Sequence, residues 1–241
     1  MLENYHKYLE ELLRCINSYD VKKEPFTHME FNIGYKISKD DFDIDNIDYT
    51  EGRTHHRFTK EKDFYIDNLN YKDRQNLIAN KLAEIFDINY TFDSGFDTNM
   101  WEDAYSQNGD ATDIHIDYLQ HSGDDKHEFS KTPHTVLTIQ TYIPNDESHT
   151  ELGTSFFKYN GDDISRDTLT AEELGWETPC LVYRHATDNF KEVKRFPFRN
   201  GYTVIHSNGG DSWHSMTEPV PKGYRRFSIG SRLQYYKRKN G

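Results

Sequence analysis

From Tyr224 to Tyr235 the chain reads as one long strand. Phe227, Ile229 and Leu233 alternate with Arg226, Ser228, Gly230 and Arg232, and successive side chains on a strand point to opposite faces. The apolar set calls for a covering layer. Arg226 and Ser228 then point together into whatever the strand encloses, where an arginine is costly unless an anion meets it. Its planar fork suits a carboxylate held by two parallel hydrogen bonds. This stretch therefore predicts a sheet with a support layer on one side and an anion site on the other.

Twelve residues before Arg226 stands His214, in a predicted loop after a strand over Tyr202 to His206. Far upstream, DATDIHID places His115 and Asp117 at i, i+2, on one face of a predicted strand. Two histidines and a carboxylate are the facial set of non-heme iron(II) sites, which leaves open coordination positions. The triplet alone carries little weight, because a chain with twelve histidines and 41 acidic residues in 241 yields a few by chance. Three occur: His28-Met29-Glu30, His115-Ile116-Asp117 and His149-Thr150-Glu151. Context favours the second. His28 sits in a polar segment and His149 in the turn-rich PNDESHTELG, whereas His115 lies in a strand-like alternation.

The ordered set His115-x-Asp117, TVLTIQTYIPND, ELGTSFF, His214 and Arg226-x-Ser228 resembles the iron(II)- and 2-oxoglutarate-dependent oxygenases, in particular the prolyl 4-hydroxylase-like branch. The resemblance covers roughly residues 99–235. It implies that His115, Asp117 and His214 bind iron(II) and form the catalytic centre. Arg226, assisted by Ser228, would hold the distal carboxylate of 2-oxoglutarate. Tyr142 would share that carboxylate, and Tyr105, ten residues before His115, matches a further tyrosine of the branch. The implied reaction consumes dioxygen and 2-oxoglutarate, with ascorbate as an optional reductant, and hydroxylates an unactivated C–H bond. Asp117 favours hydroxylation over halogenation, since related halogenases carry a small residue there. Departures from the pattern are His206, where an aromatic or aliphatic residue is usual, and Gly153-Thr154-Ser155, where two glycines are usual.

The implied fold is a mainly β double-stranded β-helix, or jelly roll, in one domain. Residues 1–89 would be a helical support region and 90–241 the jelly-roll core. The residues agree with this. Leu2, Tyr5, Leu9, Leu12, Leu13 and Ile16 predict one amphipathic helix, and Leu77, Ile78, Leu82 and Ile85 a second over 71–86. Short strands are expected near 31–37 and 64–66, and short strands separated by turn residues follow from Tyr90. Thr170 to Glu173 resembles a capping box for a short helix ending at Gly175. A polar loop after Asp117 carries His121, His127 and His134, expected to face solvent or substrate.

A net charge of −12 argues against a polyphosphate partner, because nucleic-acid binding relies on neutralising phosphates. Two cysteines, Cys15 and Cys180, make no disulfide framework or metal spacing, which fits a reduced cytoplasmic setting. Neither a signal peptide nor a membrane span is expected. The substrate reading is a peptide or protein proline, or an amino-acid-like molecule, alongside the small co-substrate. Three alternatives stand beside it: a jelly-roll binding protein without catalysis, a zinc or manganese enzyme of similar shape, and a nucleic-acid demethylase of the same superfamily.

Overall fold

A computed structural model describes residues 2–42, 50–51, 58–63, 69–88, 93–104, 114–116, 134–163, 168–170, 181–183, 188–208 and 211–236. Its helices are α1 (Leu2–Ile16) and α2 (Leu69–Phe86). Its strands are β1 (His28–Asn32), β2 (Thr50–Glu51), β3 (Phe58–Asp63), β4 (Asp93–Ala104), β5 (His115–Ile116), β6 (His134–Pro144) and β7 (Ser155–Tyr159). They continue with β8 (Thr168–Thr170), β9 (Leu181–Tyr183), β10 (Phe190–Arg195), β11 (Tyr202–Ser207), β12 (His214–Ser215) and β13 (Arg225–Tyr236).

The strands form two antiparallel sheets. One has the order β1-β11-β6-β13-β4-β3-β2 and the other β10-β7-β12-β5-β9-β8. From β4 to β7 the chain crosses to the opposite sheet at every strand, and it does so again from β11 to β13. Such alternation winds two strand ribbons around one interior, which is the expected double-stranded β-helix.

The alternation read from the sequence decides which side each residue occupies. Leu137, Ile139 and Ile143 of β6 and Phe227, Ile229 and Leu233 of β13 are buried against Tyr5, Tyr8, Leu9 and Leu12 of α1 and Ile78 and Leu82 of α2. Each such aliphatic side chain contributes about 1.5–3 kcal/mol by leaving water. Thr141, a polar residue on this outer face, is satisfied by the Tyr8 hydroxyl at 3.1 Å and the Thr203 hydroxyl at 2.8 Å. The opposite face of this sheet lines the interior, where Tyr142 of β6 and Val204 of β11 meet Phe156, Phe196 and Phe198. A third cluster, Ile116, Phe157, Phe190 and Trp213, is carried by the second sheet.

Gly153 enters β7 past the backbone of Phe196, and a Cβ there would stand 1.8 Å from the Phe196 carbonyl oxygen. No side chain fits in that gap. Gly201 takes φ +73°, a conformation suited to glycine, and from it donates its N–H to the Tyr142 carbonyl at 3.0 Å.

Several expectations shift. The strand expected over 31–37 is β1, His28–Asn32; it begins earlier because Lys22 and His28 bridge to each other and His28 pairs with His206 of β11. His28 is accordingly fully buried rather than set in a polar segment. His214 stands in β12, a two-residue strand, rather than in a loop. Residues 64–66 and 171–180 lie outside the described residues, with the expected short helix among the latter. Among the described residues no helix is long and apolar enough to cross a membrane.

Candidate functional site

His115 and His214 are Cα partners in the β5–β12 pairing, and antiparallel partners project to the same face. Their ring centroids stand 4.5 Å apart. His214 is buried, and its Nδ1 lies 2.9 Å from the Ser212 carbonyl oxygen. A carbonyl only accepts, so Nδ1 carries the proton and Nε2 is left as the basic nitrogen. That is the tautomer a metal-binding histidine needs, fixed by its backbone neighbour. Asp117, Tyr105, His121 and His127 lie outside the described residues. Among the described residues, no group of three His, Cys, Asp or Glu side chains is placed to hold a metal ion.

A third histidine adjoins the pair. His206 belongs to the other sheet, yet its ring centroid is 4.4 Å from that of His214, and it also packs on Phe156 at 5.5 Å. Its Nδ1 lies 3.2 Å from the Ser207 carbonyl oxygen. His206, which departs from the family pattern in the sequence, thus lies beside His214 with its side chain buried.

Across the interior, β6 and β13 present a polar patch on an otherwise aromatic wall. Arg226 is only 1% exposed, and its Nε donates to the Leu152 carbonyl at 2.7 Å. The guanidinium lies over the Tyr142 ring at 5.4 Å and the Phe198 ring at 5.3 Å, so two π faces support the charge. Tyr142 and Ser228 are direct partners across the β6–β13 pairing. Burial pushes the Tyr142 phenol above its ordinary range, with Arg226 and Thr154 pulling the other way, so the group is a neutral O–H donor.

A chain of hydrogen bonds runs beneath these groups. The Thr154 N–H donates to the Tyr142 oxygen at 2.9 Å, and the Thr154 hydroxyl donates to Gln140 Oε1 at 2.7 Å. Gln140 Nε2 donates in turn to the Ser228 oxygen at 3.2 Å. Each terminal hydroxyl thus receives a hydrogen bond and keeps its own proton to give. Sequence reasoning named Tyr142, Ser228 and Arg226 but gave Gln140 and Thr154 no role. The signal was present in parity, since Gln140 shares the face of Tyr142. Arg225, of opposite parity, is partly exposed with its guanidinium over the Phe227 ring at 4.8 Å. His149 stays in its turn, bonded to Glu151 at 2.8 Å.

No protein-family model matches the chain, and no curated protein does. Among solved structures, the chain is similar to a prolyl-4-hydroxylase from Pseudomonas putida, at 10% identity over 78% of each chain with a TM-score of 0.44. It is also similar to a Trichoplax adhaerens prolyl hydroxylase in complex with a hypoxia-inducible-factor peptide, at 11% identity over 98% of this chain and 91% of that one, TM-score 0.44. HygX from Streptomyces hygroscopicus, with nickel and 2-oxoglutarate bound, gives 11% identity over 92% and 86%, TM-score 0.44.

Proposed function

We propose that the protein is an iron(II)- and 2-oxoglutarate-dependent dioxygenase that hydroxylates an unactivated C–H bond, in a prolyl residue of a peptide or protein or in an amino-acid-like substrate. The observation that carries this reading is a buried arginine with two hydroxyl donors beside it on one sheet, and on the other a histidine pair of which His214 has its tautomer fixed by a backbone carbonyl. Binding an anion inside an aromatic interior and binding a cation at the facing wall are what a site for a metal-chelating 2-oxo diacid requires.

In this reading His115, Asp117 and His214 hold the metal. The donor set fits iron(II): two imidazoles, one with its basic nitrogen defined by the Ser212 carbonyl, and a carboxylate two residues after His115 in the sequence. Iron(II) bound there supplies the chemistry that couples loss of carbon dioxide from 2-oxoglutarate to insertion of one dioxygen atom into the substrate, the other ending in succinate. Arg226 neutralises the distal carboxylate of the co-substrate. Tyr142 and Ser228 donate their hydroxyl protons to it, with Tyr105 as a further donor. The aromatic lining from Phe156, Phe196 and Phe198 excludes water from that end, which strengthens each charged hydrogen bond. The negative surface charge suits a substrate with cationic character.

The test is an anaerobic titration of iron(II) and 2-oxoglutarate into the purified protein. A weak charge-transfer band in the visible region is expected, lost in His115→Ala. Incubation in air with candidate peptides should then give a product heavier by one oxygen. Absence of the band, together with unchanged metal binding in His115→Ala, overturns the assignment.

A further inference from the structure

An amide side chain has two unlike ends, and that asymmetry matters for Gln140. It is buried on the interior face of β6 between Thr154 and Ser228, both also buried. With its nitrogen toward Ser228 at 3.2 Å, the serine oxygen accepts and must send its proton elsewhere. Were the amide turned over, Ser228 would donate to Gln140 and present only lone pairs to the interior. Only the first orientation complements an anion. The far end is held by the Thr154 hydroxyl at 2.7 Å, and the Thr154 N–H binds Tyr142 at 2.9 Å. One residue pair therefore sets the polarity of both hydroxyls flanking Arg226.

We infer that Gln140, anchored by Thr154, is a positioning residue that commits Ser228 to donating its proton toward a ligand carboxylate, and so selects a dicarboxylic over a monocarboxylic 2-oxo acid. This rests on the co-substrate proposed above. Gln140 touches no reacting atom; it acts through Ser228, and its effect is confined to ligands with a second carboxylate.

The experiment is anaerobic calorimetric titration of 2-oxoglutarate and of 2-oxopentanoate, which lacks the distal carboxylate, into the iron(II)-loaded protein. Wild type, Gln140→Met, Ser228→Ala and the double variant are compared, with circular dichroism confirming the fold. Gln140→Met is expected to raise the Kd for 2-oxoglutarate by about fivefold or more, the scale of one ordinary hydrogen bond. The Kd for 2-oxopentanoate should stay within about twofold. In the Ser228→Ala background the Gln140 effect should shrink below about twofold, because the residue it acts through is gone. Equal weakening of both ligands, or an undiminished effect without Ser228, reduces Gln140 to packing and overturns the inference. Should Gln140→Met not fold, Thr154→Val releases the other end of the amide and is read in the same cycle. A wild-type protein that binds neither acid, or binds both alike, overturns the co-substrate reading and this inference with it; tight wild-type binding with indifferent Gln140 variants overturns the inference alone.

Discussion

Lys194 on β10 reaches across to Glu30 on β1, in the other sheet, with its Nζ 2.5 Å from Glu30 Oε1. Lys22 pairs with the same oxygen, and the Tyr202 hydroxyl donates to the second one at 2.6 Å. Burial alone would raise the Glu30 carboxyl, but these three donors draw it down from 4.5 to about 2. A depressed carboxyl stabilises the fold above its ordinary value, and that contribution is lost as pH falls from about 4.5 toward 2. His28 adds to the trend: burial, with Lys194 nearby, lowers its pKa from 6.5, so acid protonates the unfolded chain first. Melting followed by circular dichroism should show Tm falling as pH drops below 6.5 and more steeply below 4.5. Glu30→Gln should flatten the lower limb and His28→Asn the upper.

Arg226→Met should weaken 2-oxoglutarate binding by about 10- to 100-fold, the cost of a lost charge-assisted hydrogen bond. Arg226→Lys should recover part of it, since an ammonium keeps the charge without the planar fork. Anaerobic titration of the co-substrate measures both. Binding within twofold of wild type in Arg226→Met would place the anion site elsewhere.

His214→Ala and His115→Ala should each raise the Kd for cobalt(II), used as an air-stable probe, by at least about 100-fold, beyond what loss of a supporting hydrogen bond costs. Asp117→Ala should do the same. Competition with a metal-sensitive dye reads the change, and unaltered affinity in both histidine variants would remove the pair from the metal site.

Gly153→Ala should destabilise the protein by about 1–3 kcal/mol or more, because the added methyl meets the Phe196 carbonyl and the backbone must move. Urea unfolding reads this directly. An unchanged midpoint would mean that the Phe196 segment yields freely.

What the sequence disclosed tracks the strength of its periodic signals. Both support helices and the long strands β6, β11 and β13 were legible, since apolar side chains recur on one face over many residues. The inward pair Arg226 and Ser228 followed from parity, whereas Tyr142 was singled out by the family resemblance. The short strands β2, β8, β9 and β12, of two or three residues, carry too little periodicity to read, which is why His214 was expected in a loop. Burial of His28 was invisible because the residues that enclose it are remote in sequence, Phe156 at 5.3 Å and Phe196 at 5.8 Å. Gln140 and Thr154 were passed over for a similar reason. Their partnership is tertiary, joining β6 to the approach to β7.

Strand β13 is hydrogen-bonded along both flanks, to β4 and to β6. A slip of one position against either neighbour would swap Arg226 and Ser228 for Phe227 and Ile229, driving a guanidinium into the helix layer and apolar side chains into the interior beside Tyr142. Both neighbours oppose that exchange at once. Mutational drift in this strand should therefore surface as failure to fold well before it surfaces as altered ligand preference, and new preferences are to be sought on the walls that β13 does not build.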